Sequence, residues 1–92
     1  MTQTVKTFTK DPNSVLDYTL DWSSWLETSD TISSASWSAS GVTVDSENNT
    51  TTTATVFVSG GALNVDSVIT CQIVTSGGRT DERSIAIQIR DL

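Results

Sequence analysis

The sequence predicts an all-β protein, an immunoglobulin-like antiparallel β-sandwich of six to seven short strands. Three observations predict it. Apolar residues recur at every second position through most of the chain, which is the spacing of a half-buried strand. Clusters of Gly, Asn and Ser interrupt that alternation about every ten residues, the rhythm of strands joined by tight turns. Thr and Ser together supply 30 of the 92 residues. Short hydroxyl side chains, β-branched in Thr, suit wet strand faces and turns and suit helices poorly.

Residues 1–12 are expected to form an N-terminal arm, and residues 13–92 the sandwich domain. Val5 and Phe8 are the sizeable apolar groups within Thr2–Lys10, and they lie at opposite parity. One strand face does not bury both. Lys10-Asp11-Pro12 punctuates the arm, with Pro12 biasing Asp11 to an extended backbone. From Leu16 the period is two: Leu16, Tyr18, Leu20 and Trp22 alternate with Asp17, Thr19 and Asp21. Trp22, Trp25 and Leu26 then fall at the spacing of a single helical turn, too short to be an independent helix.

Thr31–Ala39 alternates again, with Ala35, Trp37 and Ala39 on one face and Ser34, Ser36 and Ser38 on the other. Gly41 breaks that strand. Val42 and Val44 form a short third strand, ended by Ser46-Glu47-Asn48-Asn49. Thr50–Ser59 is a fourth, with Ala54, Val56 and Val58 inward. Val68–Thr75 is a fifth, with Ile69, Cys71 and Ile73 on one face. Ser76-Gly77-Gly78-Arg79 is a tight-turn signal. Arg83–Arg90 is the last strand, with Ile85, Ile87 and Ile89 together. The last two strands read as an antiparallel hairpin. A single open sheet leaves these large side chains wet, at a loss of roughly 1.5–3 kcal/mol each. Two packed sheets recover that energy; a small closed barrel satisfies the same periodicity.

Composition excludes several functions. A chain of 92 residues is one domain with a thin core, without room for a cleft between lobes. His is absent, which removes the commonest general base and metal ligand. A lone cysteine, Cys71, excludes an intrachain disulfide framework and a Cys-type zinc site. The formal net charge of −6 opposes binding to nucleic acid or to an anionic membrane. No apolar run spans a bilayer. Met1-Thr2-Gln3-Thr4 opens no secretory signal, so a cytosolic product with a free thiol is expected.

The chemistry-bearing residues read as structural when weighed one by one. Ser and Thr nucleophiles need an adjacent base, and a Ser–Lys dyad falls back on Lys6 or Lys10 in the arm. Cys71 occupies an apolar strand face, where it serves as a small hydrophobe. Asp17 and Asp21 share a strand face and read as edge-blunting charge rather than as an acid–base pair; with Thr19 they fall short of a Ca²⁺ loop. Ser59-Gly60-Gly61 and Ser76-Gly77-Gly78 lead into strands, so they are turns and not phosphate cradles. Asn48-Asn49-Thr50 and Asn49-Thr50-Thr51 match the glycosylation sequon, without an export signal to make the match meaningful. No catalytic, cofactor or metal-ligating residue is expected.

Arg79-Thr80-Asp81-Glu82-Arg83 is the densest charge cluster. Mixed charge keeps a hairpin soluble and in register, and the same charges can pair with a partner. Trp37 reads as core. Trp22 and Trp25 cannot both be fully buried unless the short turn folds inward, and a partly exposed Trp is a contact anchor. The candidate partner-binding residues are Phe8, Lys10, Trp25, Arg79, Asp81, Glu82 and Arg83.

Two stretches carry a resemblance. One is Lys10-Asp11-Pro12-Asn13-Ser14-Val15-Leu16-Asp17-Tyr18, running on to Asp21-Trp22-Ser23-Ser24-Trp25-Leu26 and Asp30-Thr31-Ile32. The other is Gly78-Arg79-Thr80-Asp81-Glu82-Arg83-Ser84-Ile85. In this order and spacing they resemble the fiber–tail adaptor family of tailed bacteriophages and prophages, small virion proteins with an immunoglobulin-like fold. The resemblance runs from Lys10 to Arg90 and leaves residues 1–9 outside it. It implies a non-enzymatic structural protein of the virion, assembled in the bacterial cytoplasm. It also implies docking to tail or fibre proteins, or to a head–tail connector, in multiple copies of a symmetric assembly. Head decoration, head–tail completion and carbohydrate binding are the alternatives.

Overall fold

A computed structural model describes residues 3–91, with side chains from Lys6 onward. Seven strands follow one another: β1 (Gln3–Lys10), β2 (Leu16–Asp21), β3 (Ile32–Ser40), β4 (Thr43–Asn49), β5 (Thr53–Ser59), β6 (Asp66–Thr75) and β7 (Thr80–Ile89). They form a four-stranded sheet in the order β1-β7-β6-β3 and a three-stranded sheet in the order β2-β5-β4. The architecture is the expected all-β sandwich.

The alternating residues meet between the sheets. Ile69, Cys71 and Ile73 of β6 and Ile85, Ile87 and Ile89 of β7 are fully buried, as are Ala54, Val56 and Val58 of β5. Tyr18 and Leu20 of β2 and Trp37 of β3 close the same cluster. Each large side chain removed from water contributes roughly 1.5–3 kcal/mol, and β6 and β7 supply six of the buried positions. The hairpin these two strands form is antiparallel and unbroken in register from Asp66↔Gln88 to Val74↔Thr80. Its turn is drawn tight by Gly78 N donating to Thr75 O at 3.0 Å, with Gly78 at φ 90°, a conformation glycine adopts without a Cβ clash.

The single helical turn after β2 is present. Trp25 N and Leu26 N both donate to Trp22 O, at 2.9 and 3.1 Å. The turn folds Trp22 wholly inward and leaves Trp25 half-buried.

Three features differ from the expectation. Gln3–Lys10, expected as an arm apart from the sandwich, pairs in parallel with β7 as the edge strand of the larger sheet. A register shift between Thr4 and Lys6 resets the parity of the strand, which is how a bulge reconciles mismatched positions. Beyond it, Lys6, Phe8 and Lys10 lie in register with Ile85, Ile87 and Ile89. That parallel pair also makes the sheet mixed rather than wholly antiparallel. The third predicted strand does not end at Ser46–Asn49: β4 continues to Asn49 past a shift between Val44 and Ser46. The turn lies at Thr50–Thr52, where Thr50 Oγ1 accepts from Thr52 N and Thr53 N at 3.3 and 3.0 Å.

Candidate docking surface

One end of the sandwich gathers most of the candidate residues. It is built from the β2–β3 connection and the β6–β7 turn. Asp30 ties the two together: its Oδ1 accepts from Thr31 N at 2.9 Å, Ser76 Oγ at 3.0 Å and Gly77 N at 2.9 Å. Hydrogen bonds to its carboxylate, led by the Thr75 side chain, hold Asp30 below the usual carboxylate range.

That tie places two arginines on two tryptophans. The Arg79 guanidinium lies 4.1 Å from the Trp25 ring centre, and that of Arg83 lies 4.2 Å from the Trp22 ring centre. Trp25 stands edge-on to Trp22, with centres 5.5 Å apart and planes at 76°, the offset that aromatic quadrupoles favour. Arg79 Nη1 also reaches Trp25 O at 3.4 Å and Glu27 Oε1 at 3.5 Å. Arg83 and Asp81 share the parity of Ile85, Ile87 and Ile89, so both are turned toward the interior side and are half-buried. Glu82 has the opposite parity and stands exposed on the outer face of the larger sheet.

The remaining candidates lie elsewhere. Phe8 is on the flank, 37% exposed, with its ring centre 4.9 Å from that of Tyr18. It bridges β1 to β2 across the open side of the sandwich. Lys10 sits at the opposite end and is 0% exposed. Its ammonium donates to Gly60 O at 2.7 Å and Asp11 O at 2.9 Å. Burial pushes Lys10 below the ordinary lysine range, against the opposing charges of Asp11 and Asp45. Lys10 is therefore buried in the sandwich, unlike the other candidates. Two of the three ammonium donors are thereby spent on backbone carbonyls of the chain itself.

Burial pushes the Cys71 thiol up to about 12, with the Trp22 indole opposing; a thiol so held stays protonated and unreactive. Among the described residues, no group of three or more His, Cys, Asp or Glu is placed to hold a metal ion. A shallow, open groove runs beside Trp25 between Glu27–Asp30 and Ser76, Gly77 and Arg79.

Asp30 and Glu47 are organising residues that sequence reading missed. Glu47 lies on the inward parity of β4, opposite Val56, and its Oε1 accepts from Trp37 N at 3.2 Å. A carboxylate three residues past Val44 carries no sequence signal for reaching a strand edge in the other sheet. Asp30, directly before a strand and near Thr31, carries a weak one, since Asp favours such bonds to nearby backbone N–H groups.

Comparison with known proteins gives three results. The podophage GP4 fiber-tail adaptor protein gp77 family matches residues 10–88. Among curated proteins, none matches the sequence. The solved structures similar to this chain include the following two. One is the 2,6-sialyltransferase of the Vibrionaceae bacterium Photobacterium sp. JT-ISH-224, with a TM-score of 0.56 and 10% identity over 98% of this chain. The match occupies 18% of that enzyme's length, and the likeness is one of fold alone. The other is the cysteine protease inhibitor EhICP2 of Entamoeba histolytica, with a TM-score of 0.48, 11% identity, and coverage of 94% of this chain and 92% of that one.

Proposed function

The chain belongs to the podophage GP4 fiber-tail adaptor family, and on that premise we propose that it is a non-enzymatic virion component docking tail and fibre proteins to each other. The family match across residues 10–88 carries the reading. The geometry supports it: the chemistry-bearing groups Cys71 and Lys10 are locked into the core, and the cationic and aromatic groups that recognise partners lie at one end. We place the contact at the Trp25–Arg79 corner, extended by Asp81, Glu82 and Arg83 along β7 and by Phe8 on the flank. A half-buried Trp capped by Arg is the kind of rigid anchor that dominates protein contacts. Several copies in a symmetric assembly multiply a modest contact through effective concentration. The free Cys71 thiol suits assembly in the reducing cytoplasm of the host.

Labelled antibody on intact particles tests the address. Signal at the junction of tail and fibres is expected, and signal over the capsid faces overturns the reading. Particles made without the protein should keep their tails and lose their fibres. Fibres still attached to such particles would contradict the docking role.

A further inference from the structure

We propose that two copies of this chain pair back to back through the outer face of the four-stranded sheet, about a two-fold axis that runs the strands of one copy antiparallel to those of the other. This goes beyond the adaptor reading and does not depend on which virion component the chain docks.

The face is distinguished by its charge. The chain carries 11 acidic residues against 5 basic ones, and the outer face of the smaller sheet bears Asp17 and Asp21. The outer face of the larger sheet is different. Between its two ends β1, β7, β6 and β3 present hydroxyl, amide and small apolar side chains: Thr7 and Thr9 beside Ala86 and Gln88, then Thr70, then Ser38. Val68, at 40% exposed, adds apolar area. The one hydroxyl pair sunk into this surface is already satisfied, with Ser84 Oγ and Thr70 Oγ1 2.9 Å apart. Two strongly acidic molecules repel each other at most orientations and repel least here.

The charges at the ends of the face choose the orientation. Glu82 stands at one end of β7, exposed. Arg90 follows the other end of β7 and bonds Asp66 at 3.3 Å on the same side. Eight residues of strand separate the two, about 26 Å at the usual rise. An antiparallel two-fold stack lays the Glu82 end of each copy over the Arg90 end of its partner, so each Glu82 meets the Arg90–Asp66 pair and can share its cation, at two symmetric places. A parallel stack sets Glu82 against Glu82.

The size of the face sets the strength. Four strands spaced by about 4.8 Å and about eight residues long cover roughly 500 Å² per copy, or about 1,000 Å² in all. That is at the lower limit for a specific interface, so the pairing is weak and concentration-dependent. Stacked sheets at the usual separation of about 10 Å leave space for the Thr, Ser and Gln side chains to interdigitate.

Sedimentation equilibrium of the full chain, from micromolar to millimolar, tests this. Wild type is expected to follow a monomer–dimer equilibrium. Ala86→Arg, placing charge in the middle of the face, should abolish dimerisation, and Gln88→Arg repeats the test should the first variant melt early. Thr55→Arg, on the outer face of the smaller sheet, should leave dimerisation unchanged. An exposed ion pair is worth up to about fivefold in an equilibrium constant, and it occurs twice, so Glu82→Arg or Arg90→Glu alone should weaken pairing on the order of tenfold. Combining Glu82→Arg with Arg90→Glu should return it to within about threefold of wild type. A monomer at every concentration, equal loss from Thr55→Arg, or failure of the combined variant to recover would each overturn the proposal. Particle labelling stays independent of all these outcomes.

Discussion

β6 and β1 lie on either side of β7, and they hold to it by different means. β6 is antiparallel to β7 and adds Ile69, Cys71 and Ile73 to the core beside Ile85, Ile87 and Ile89. β1 is parallel to β7, and of its described side chains Lys10 is the one that is buried. Phe8 adds a partial contact to Tyr18. The first strand is bound by the hydrophobic effect together with its ladder. The second is bound by its ladder, one ring contact and one amine. A strand need not feed the core to complete a sheet, and a strand that does not feed it leaves little trace in the sequence.

The largest break in this comparison comes from the core side. Ile87→Ala removes a fully buried side chain from the interior side of β7 and should destabilise by about 2–5 kcal/mol. Chemical denaturation measures it. Trp22→Ala should do as much, since Trp22 is fully buried and also supports Arg83; a loss below 1 kcal/mol would show that the sandwich closes around the vacated space.

Deleting residues 1–9 strips most of the edge strand and should cost less. Each ladder bond contributes about 0.5–1.5 kcal/mol net, and the ordering entropy of the freed residues offsets part of the sum. A loss of about 1–3 kcal/mol, with cooperative unfolding retained, is the expected result. A loss equal to that of Ile87→Ala would mean that β1 and β6 are equivalent partners.

Lys10→Ala comes next. It removes the donor from Gly60 O, whereas Asp11 O keeps Ser14 N and Ser14 Oγ, and should cost about 1–3 kcal/mol. Lys10→Met keeps the bulk and isolates the amine. Because burial lowers the pKa of Lys10 in the folded state, the unfolded chain binds that proton more tightly in the alkaline range. Wild type should therefore gain stability relative to Lys10→Met as pH rises from the lowered value toward the ordinary one, about 10.4. Thermal melts of both proteins across that window measure the gain. The smallest effect belongs to Arg79→Met, which removes a partly exposed cation from the Trp25 ring for about 0.5–1 kcal/mol. It should lower docking to tail or fibre protein by more than it lowers stability.

How much was legible follows the same division. Ile69, Cys71, Ile73, Ile85, Ile87 and Ile89 announced the hairpin because period-two burial and strand geometry are the same fact stated twice. Gly78 announced its turn because a positive φ favours glycine. β1 stayed hidden because the register shift between Thr4 and Lys6 breaks its parity and because a lysine occupies its buried position. The candidate site was legible as composition and not as geometry. Trp25 and Arg79 were each singled out, yet they are 54 residues apart, and single-sequence patterns carry no distance between them. Their stacking also shows that a charge cluster can be holding the chain's own aromatic residues in place.

Native-state hydrogen exchange on the full chain tests the central distinction most directly. The account predicts that the amides bonded between β6 and β7 exchange only by global unfolding, while those bonded between β1 and β7 open at a clearly lower free energy. Equal protection along both sides of β7 would contradict it.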